Sequence, residues 1–514
     1  MSGCVYLIGA GPGDPGLLTL RGAELLARVE VVLYDGLSNP DILDHAPSAK
    51  HVCVGKHGQS RIWTQEEIIA EMLRYARSGA RVARLKGGDP AVFARTAEEA
   101  QALRSAGIPF EIVPGITAAL AAGSYAGIPI THRRFASAVA LVTGHEEPGK
   151  SESSLDWDAL AHFPGTLVVY MGVTTARIWT TALISAGKPA DTPTAILRRC
   201  SLSDQQTIHC RLDEVADLLT PASKLRPPVI AIIGQVTRLA ETMSWFESRP
   251  LFGRTILVTR SDQQSAELSG PLRELGATVI EQPAIQIGAP DAWTEVDSLI
   301  QQLSSYDYLV FSSRNGVQFF LDRLLAQGRD MRCLGSIKLA VVGKRTADKL
   351  AEYHLRPDAV PRDYTASALA ELLAPIADAK HFALVRASRG PDHLASALQR
   401  AGGEVEQVVA YSHRDVIAAD PWVAEEMKLG KVHWVTVTSN AIAHSIVRLF
   451  GDSLSNAKLA SFSPAITQTL AGLGHPAGAE ASEATMESLI AAIRCAESQS
   501  FIPAAPLTSQ EPLE

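Results

Sequence analysis

The stretch LIGAGPGDPGLLTL, residues 7–20, runs from an apolar, strand-like segment into three glycines at alternate positions, Gly9, Gly11 and Gly13. A dinucleotide-binding turn needs Gly-x-Gly-x-x-Gly, the third glycine letting the helix pack close to its strand. Here the third position is Asp14, and Pro12 and Pro15 stiffen a loop that would have to wrap a pyrophosphate. An acid at that place directs negative charge toward any phosphate. The stretch reads as a rigid strand-to-helix turn that need not bind phosphate, and these residues alone leave open whether any ligand sits beside it.

Working outward, CVYLIGA, VEVVLYD, ARVARLKGGD, FEIVPG and VALVTGH alternate with helical stretches, the pattern of parallel α/β layers. After TLVVYMGV the strands PTAILRRC, QQTIHCRL and PPVIAIIGQV follow with less helix between them, which predicts a second lobe richer in antiparallel sheet. The two lobes divide near Pro114 to Thr117, giving about 1–115 and 116–245 within a first domain of residues 1–247. At WFESRPLFGRTILVTR a charged, proline-containing connection leads into a fresh strand, so a second domain is expected over 248–497.

That second half repeats itself in three blocks. ILVTRSDQQSAELSGPLRELGATVIEQPAI is echoed by ALVRASRGPDHLASALQRAGGEVEQVVAY, matching Leu257 to Leu384, and YDYLVFSSRNGVQFFLDRL by VHWVTVTSNAIAHSIVRLF. The third block keeps one register from Leu339 against Leu459 to Thr365 against Thr485. Two similar parallel-sheet lobes follow, with a cleft suited to a large ligand. The fold class is α/β throughout, closed by a polar, proline-rich tail, 498–514, expected to be disordered.

With 514 residues, two to four domains are the prior. A net charge of −8 with no basic block argues against nucleic-acid or membrane binding, while a cleft that gathers arginines locally could still take an anionic small molecule. The six cysteines show no metal or redox spacing and read as reduced, mostly buried thiols of a cytoplasmic protein. No metal site is expected, and no run is long and apolar enough to span a bilayer.

Several strand ends carry charge where open α/β sheets place ligands. VVLYDGL ends on Asp35 and VCVGKHG on Lys56. In RLKGGDP, Gly87 and Gly88 allow a ligand close to the backbone, and Asp89 can cap the next helix or hold a ligand. Arg95 and Glu98, three apart, share a helix face, as a surface ion pair or as a carboxylate clamp. In the second half SSRNGV, TSNAIA and GKRTA place amides and hydroxyls at helix starts, suited to carboxylates or to simple capping.

These motifs resemble two families joined head to tail. GAGPGDPGLLTL, VVLYDGL, VGKHG, LKGGDP, VPGITAALAAGSYAGIPITHR, LVTGH and VVYMGV are similar to uroporphyrinogen-III C-methyltransferases, over nearly the whole first half. VTRSDQQSAEL, LRELGATV, YLVFSSRNGV, VVGKRTA and VAYSHRD resemble uroporphyrinogen-III synthases. The resemblance implies a bifunctional enzyme that cyclises hydroxymethylbilane to uroporphyrinogen III with inversion of ring D. It then methylates the product at C2 and C7, giving precorrin-2 for siroheme or cobalamin. S-adenosylmethionine is the implied methyl donor, bound between two α/β lobes by Pro12, Gly87, Gly88, Asp89, Val92, Thr117, Ala118 and Met171. Asp35 and Lys56 are the implied acid-base residues, with Arg95 and Glu98 on the tetrapyrrole side. Tyr411 is implied to assist loss of the hydroxyl, and Ser313, Asn315, Thr346 and Ser439 are expected to hold substrate. By the same resemblance the protein is a homodimer through its methyltransferase half.

The sequence departs from the methyltransferase pattern at Ala91, Ala94, Thr96 and Ala97, where an aromatic and glycines are usual, at Cys200 for glycine and at Gly123 for proline. The alternatives are a methyltransferase for a later corrin intermediate with a degenerate synthase half, a nicotinamide dehydrogenase, which Asp14 argues against, and a non-catalytic binding protein.

Overall fold

The computed structural model describes residues 3–36, 38–55, 63–145, 154–220, 223, 225–260, 262–390 and 392–500. Two compact units divide the chain: Met1–Arg254 with Leu272–Thr278, and Thr255–Pro271 with Val279–Glu514.

In the first unit, β1 (Val5–Gly9), β2 (Val31–Tyr34), β3 (Lys50–Cys53), β4 (Val82–Lys86) and β5 (Phe110–Val113) form a parallel sheet in the order β3-β2-β4-β1-β5. Its central strand β4 is buried along its whole length, as a parallel sheet covered on both faces requires. A second sheet, β6-β7-β10-β8-β9, comprises β6 (Val139–Thr143), β7 (Thr166–Tyr170), β8 (Pro193–Arg198), β9 (Gln206–Arg211) and β10 (Val229–Ile233). Only β6 and β7 run parallel; β10 opposes both β7 and β8, and β8 opposes β9.

The opening turn owes its shape to backbone pairing. Gly11 and Gly88 exchange hydrogen bonds, N to O 3.1 Å one way and 2.7 Å the other, and both have positive φ, 74° and 71°. Gly9 packs against Gly115 so closely that a Cβ on it would lie 2.6 Å from the Gly115 Cα. The backbone groups that would cradle a pyrophosphate are thus committed to the neighbouring loop. Asp14 turns away as well. Its carboxylate accepts from Gly16 N at 2.8 Å and from the Tyr125 hydroxyl at 3.0 Å, while its own amide donates to Ser201 Oγ at 2.9 Å. The residue that breaks the dinucleotide pattern holds the two sheets of this unit together.

In the second unit β11 (Thr255–Val258) and β12 (Thr278–Glu281) join β18 (Trp434–Val437), β19 (Lys458–Ser461) and β20 (Ala479–Glu480) in the order β12-β11-β18-β19-β20. The chain between them builds a sheet ordered β13-β17-β16-β14-β15 from β13 (Ile285–Gly288), β14 (Tyr308–Phe311), β15 (Lys338–Val341), β16 (His381–Ala387) and β17 (Glu404–Asp415). The repeat is explicit here. Leu339 and Leu459 are each the second residue of β15 and β19. Thr365 and Thr485 each accept a hydrogen bond at 3.1 Å from the amide three residues on, at the start of corresponding helices.

Where β17 ends, Asp415 joins the two lobes of this unit. It accepts from Ser445 Oγ and Arg448 Nη2, both at 2.8 Å, and from Arg389 Nη1 at 3.1 Å. Burial raises its pKa, but these three donors outweigh it and hold the carboxyl at about 2. A depressed folded-state value gives stability that is complete above the unfolded value, near 4, and lost as pH falls through about 2. Asp415→Asn should therefore cost about 1–3 kcal/mol at pH 7 and flatten the acid limb between about pH 4 and about 2, read by denaturant unfolding across that range.

Two expectations need correcting. Only Cys200 of the six cysteines is buried; Cys495 is exposed on the last helix and the others are half-buried. That helix, Met486–Ser500, continues through the first three residues of the stretch read as a disordered tail, because Leu489, Ile490 and Ile493 pin its apolar side to the core. Among the described residues no helix is long and apolar enough to cross a membrane.

Candidate functional site

At the C-terminal ends of β1, β2 and β4 the first unit holds a cavity of about 530 Å³. Part of its lining is apolar or bare backbone: Pro12, Gly87, Gly88, Val92, Thr117, Ala118, Met171 and Ile230. Tyr170 lines it too, its hydroxyl accepting from Ala119 N and pairing with Thr117 Oγ1, each at 2.8 Å. Asp89 lines the cavity too, yet its two oxygens accept from Ala91 N at 2.7 Å and Gly115 N at 2.9 Å. It acts here by fixing the loop.

The lining also carries charge. Asp35 follows β2 and accepts from Ser38 N at 3.2 Å and Gly87 N at 3.4 Å. Arg84 and Lys86, two apart on β4 and so on one face of it, meet Glu99 from the helix Thr96–Ser105. Lys86 Nζ lies 2.5 Å and Arg84 Nε 3.3 Å from the carboxylate, and Gln65 Nε2 donates to it at 3.2 Å. Glu99 is fully buried and both cations nearly so, yet Arg84 and Lys86 line the cavity. Burial, then Arg84, pushes the Lys86 ammonium below the usual lysine range, against the pull of Glu99 and Asp35. At the rim Arg95 grips Glu98 bidentately, 2.8 and 2.6 Å, with both side chains about half exposed. Arg95 lines the cavity; Glu98 reaches it through Arg95.

Backbone strain gathers at the same place. Phe93, Arg95 and Met171, all lining residues, have φ of 51°, 53° and 54°, a region costly for side chains other than glycine.

In the second unit Tyr411, on β17, is buried and stacks on Phe319, and its hydroxyl meets Ser313 Oγ at 2.8 Å. Burial raises its pKa, partly offset by the hydrogen bond with Ser313. Ser313 also caps the helix Arg314–Ala326 through Gly316 N at 3.0 Å. Asn315, from the first turn of that helix, lines a cavity of about 330 Å³ with Glu267, Arg314 and Arg345. Thr346 is buried one residue beyond Arg345. Ser439 caps the duplicate helix Asn440–Phe450 through Ile442 N at 3.2 Å.

Residues 4–216 match the family of Tetrapyrrole (Corrin/Porphyrin) Methylases, and residues 266–491 match Uroporphyrinogen-III synthase HemD. The porphyrin biosynthesis protein HemD of Ruminiclostridium josui is 34% identical over 452 residues, covering 88% of this chain and 89% of that protein. The chain belongs to this fused methylase–synthase family. The uroporphyrinogen-III C-methyltransferase of Bacillus subtilis is 37% identical over 350 residues, 68% of this chain and 71% of its own length. An S-adenosyl-L-methionine-dependent uroporphyrinogen III methyltransferase of Methanosarcina barkeri is 46% identical over 242 residues, 47% of this chain and 94% of its own.

In the methylase unit all eight residues expected at the donor, with Asp35 and Arg95, line one cavity. Lys56 lies outside the described residues. The altered loop keeps its fold: Ala91 N bonds Asp89, and Thr96 Oγ1 donates to the Pro90 carbonyl. Cys200 does not line the cavity but packs in the apolar cluster behind it, burial pushing its thiol up to about 12. Sequence reading missed Arg84, Lys86, Glu99, Phe93 and Tyr170. Two cations at alternate positions of an otherwise apolar strand were the signal for the first two. In the synthase unit Tyr411 and Ser313 meet directly, whereas Ser439 serves its helix.

Proposed function

We propose that the methylase unit holds S-adenosylmethionine against the apolar and bare-backbone residues of its cavity and the tetrapyrrole's carboxylates against the charged ones. A fit test supports this: a Cβ on Gly88 would project to 3.8 Å from Thr117 Cα and 3.9 Å from Ala118 N, so the bare backbone leaves space where the donor residues converge. When bound, the donor supplies an electrophilic methyl on a sulfonium. Each transfer neutralises that charge and leaves a proton to be lost from the macrocycle. Asp35, whose carboxylate accepts from Gly87 N of the donor loop, is placed to accept it. Arg84, Lys86 and Arg95 offer cations to the substrate's carboxylates, and the apolar lining residues exclude water from the reacting carbon.

The chain combines uroporphyrinogen-III synthase and uroporphyrinogen-III C-methyltransferase activities. For the synthase step, the Tyr411 hydroxyl is proposed to donate a proton to the departing hydroxyl of hydroxymethylbilane, so that water leaves and a cationic azafulvene closes through a spiro intermediate with ring D inverted. The methylase unit then adds methyls at C2 and C7 to give precorrin-2, on the way to siroheme or cobalamin. The observation that carries the reading is the single cavity uniting Asp35 with the Gly87–Asp89 loop in a chain that also holds the synthase fold. We also propose, from the family resemblance, a cytoplasmic homodimer joined through the methylase unit.

The test is one assay: purified protein with enzymatically generated hydroxymethylbilane, with and without S-adenosylmethionine, products resolved by mass and isomer. Isomer III alone, becoming two methyl groups heavier when donor is added, is the expected result. Isomer I without donor, and no methylation with it, would sink the reading.

A further inference from the structure

Phe93 lines the 530 Å³ cavity of the methylase unit and is 43% exposed, whereas Phe311, Phe320 and Phe382 are fully buried in their cores. Its ring leans on Tyr170, centroids 5.1 Å apart and planes tilted by 56°. Tyr170 is itself fixed, its hydroxyl tied to Thr117 Oγ1 and Ala119 N. The phenyl group therefore has a firm support at one place and open space over much of the rest.

The backbone is bent to put it there. Phe93 has φ of 51°, a region in which a bulky side chain is an outlier, and Arg95 repeats it at 53°. The loop is closed from both ends: Asp89 accepts from Ala91 N through its carboxylate and from Val92 N through its carbonyl, and Thr96 Oγ1 donates to the Pro90 carbonyl. Contact with Tyr170 offsets this strain only in part, because so much of the ring still faces solvent; a ligand lying over the open part would gain the remaining apolar burial.

Two flat rings come to this cavity if the methylase unit acts as proposed above: the adenine of the donor and the pyrroles of the tetrapyrrole. Arg95, two residues on and gripped by Glu98, brings a half-exposed guanidinium to the same lining. A flat ring beside a guanidinium suits a pyrrole bearing acidic arms, and adenine bears none.

We propose that Phe93 is an aromatic platform on which one pyrrole ring of the tetrapyrrole packs, offset or edge-on, fixing the plane in which the attacking carbon meets the methyl. Phe93 makes and breaks no bond; it sets affinity for the aromatic substrate and the orientation of its ring. This role rests on the methylase reading, and its failure is distinguishable from that reading's.

The experiment compares the full chain with Phe93→Leu, which keeps apolar bulk and loses the flat ring, and Phe93→Tyr, which keeps the ring. Each is titrated with uroporphyrin III, the oxidised and fluorescent form of the substrate, and separately with S-adenosylmethionine by calorimetry. KM for uroporphyrinogen III is measured beside them, with the thermal unfolding transition as the folding control. Aromatic pairing beyond simple area burial corresponds to about two- to tenfold in affinity, so Phe93→Leu should weaken uroporphyrin binding and raise KM by about that factor. Phe93→Tyr should restore most of the loss, and donor affinity should stay within about twofold in both. Unchanged tetrapyrrole affinity in Phe93→Leu, or a loss in Phe93→Tyr as large as in Phe93→Leu, overturns the proposal. A loss confined to donor affinity overturns it as well, since the ring would then serve adenine. Absence of methylation in the unaltered chain would overturn the methylase reading itself. Should Phe93→Leu unfold early, Phe93→Met, apolar and without a ring, decides in its place.

Discussion

Replacing Asp35 by asparagine should lower methylation by about 10²–10⁴-fold, the usual contribution of a positioned acid or base, while the same preparation still forms uroporphyrinogen III. The substitution keeps the size of the side chain and one oxygen for Ser38 N, giving up only the longer contact from Gly87 N at 3.4 Å, so the turn after β2 should persist. What disappears is the charge proposed to accept the proton. The check is a paired assay: turnover of supplied uroporphyrinogen III with methyl donor, and cyclisation of hydroxymethylbilane without it. Loss of both activities from a folded protein would mean that the two units do not work as separate sites.

The second large effect is on stability. Glu99→Ala removes the one carboxylate that Arg84 and Lys86 share inside the methylase unit and leaves two nearly buried cations without it. Breaking a buried ion pair from one side costs about 3–5 kcal/mol, far more than the same pair contributes relative to an apolar replacement. In a unit of this size that corresponds to a fall in melting temperature of roughly 10 °C. Glu98→Ala is the matched control, since its exposed pair with Arg95 is worth little. Glu98→Ala should leave the unfolding transition nearly unmoved, and equal shifts from the two neighbouring variants would refute the argument.

The contrast between Glu98 and Glu99 also shows where sequence reading stops. Apolar runs disclosed the parallel strands because strands covered on both faces cannot alternate with polar residues, and the repeat disclosed the twin lobes because each lobe buries the same pattern. Asp14 excluded a dinucleotide turn from the fingerprint alone. Of two adjacent glutamates, however, the one three residues from Arg95 attracted notice, whereas the one a further 100° around the helix points into the interior. Nothing local distinguishes them; Glu99 is identified by Arg84 and Lys86, whose meeting with it depends on how the helix returns to β4. The left-handed backbone at Phe93, Arg95 and Met171 was equally hidden, because only glycine announces that conformation by its identity.

The order in which the strands of the synthase unit assemble has a consequence for a chain being made on the ribosome. β11 pairs with β18, Ile256 against Trp434, so its partner emerges 178 residues later, after β13 to β17 have been synthesised as a complete sheet of their own. The methylase unit and the inner synthase lobe can close during translation, while β11, with only β12 beside it, waits with its other edge exposed. A stop anywhere between Asp415 and Trp434 would leave that edge without a partner permanently. Premature termination or slow decoding in this interval should thus lead to aggregation, even though most of the polypeptide has already folded.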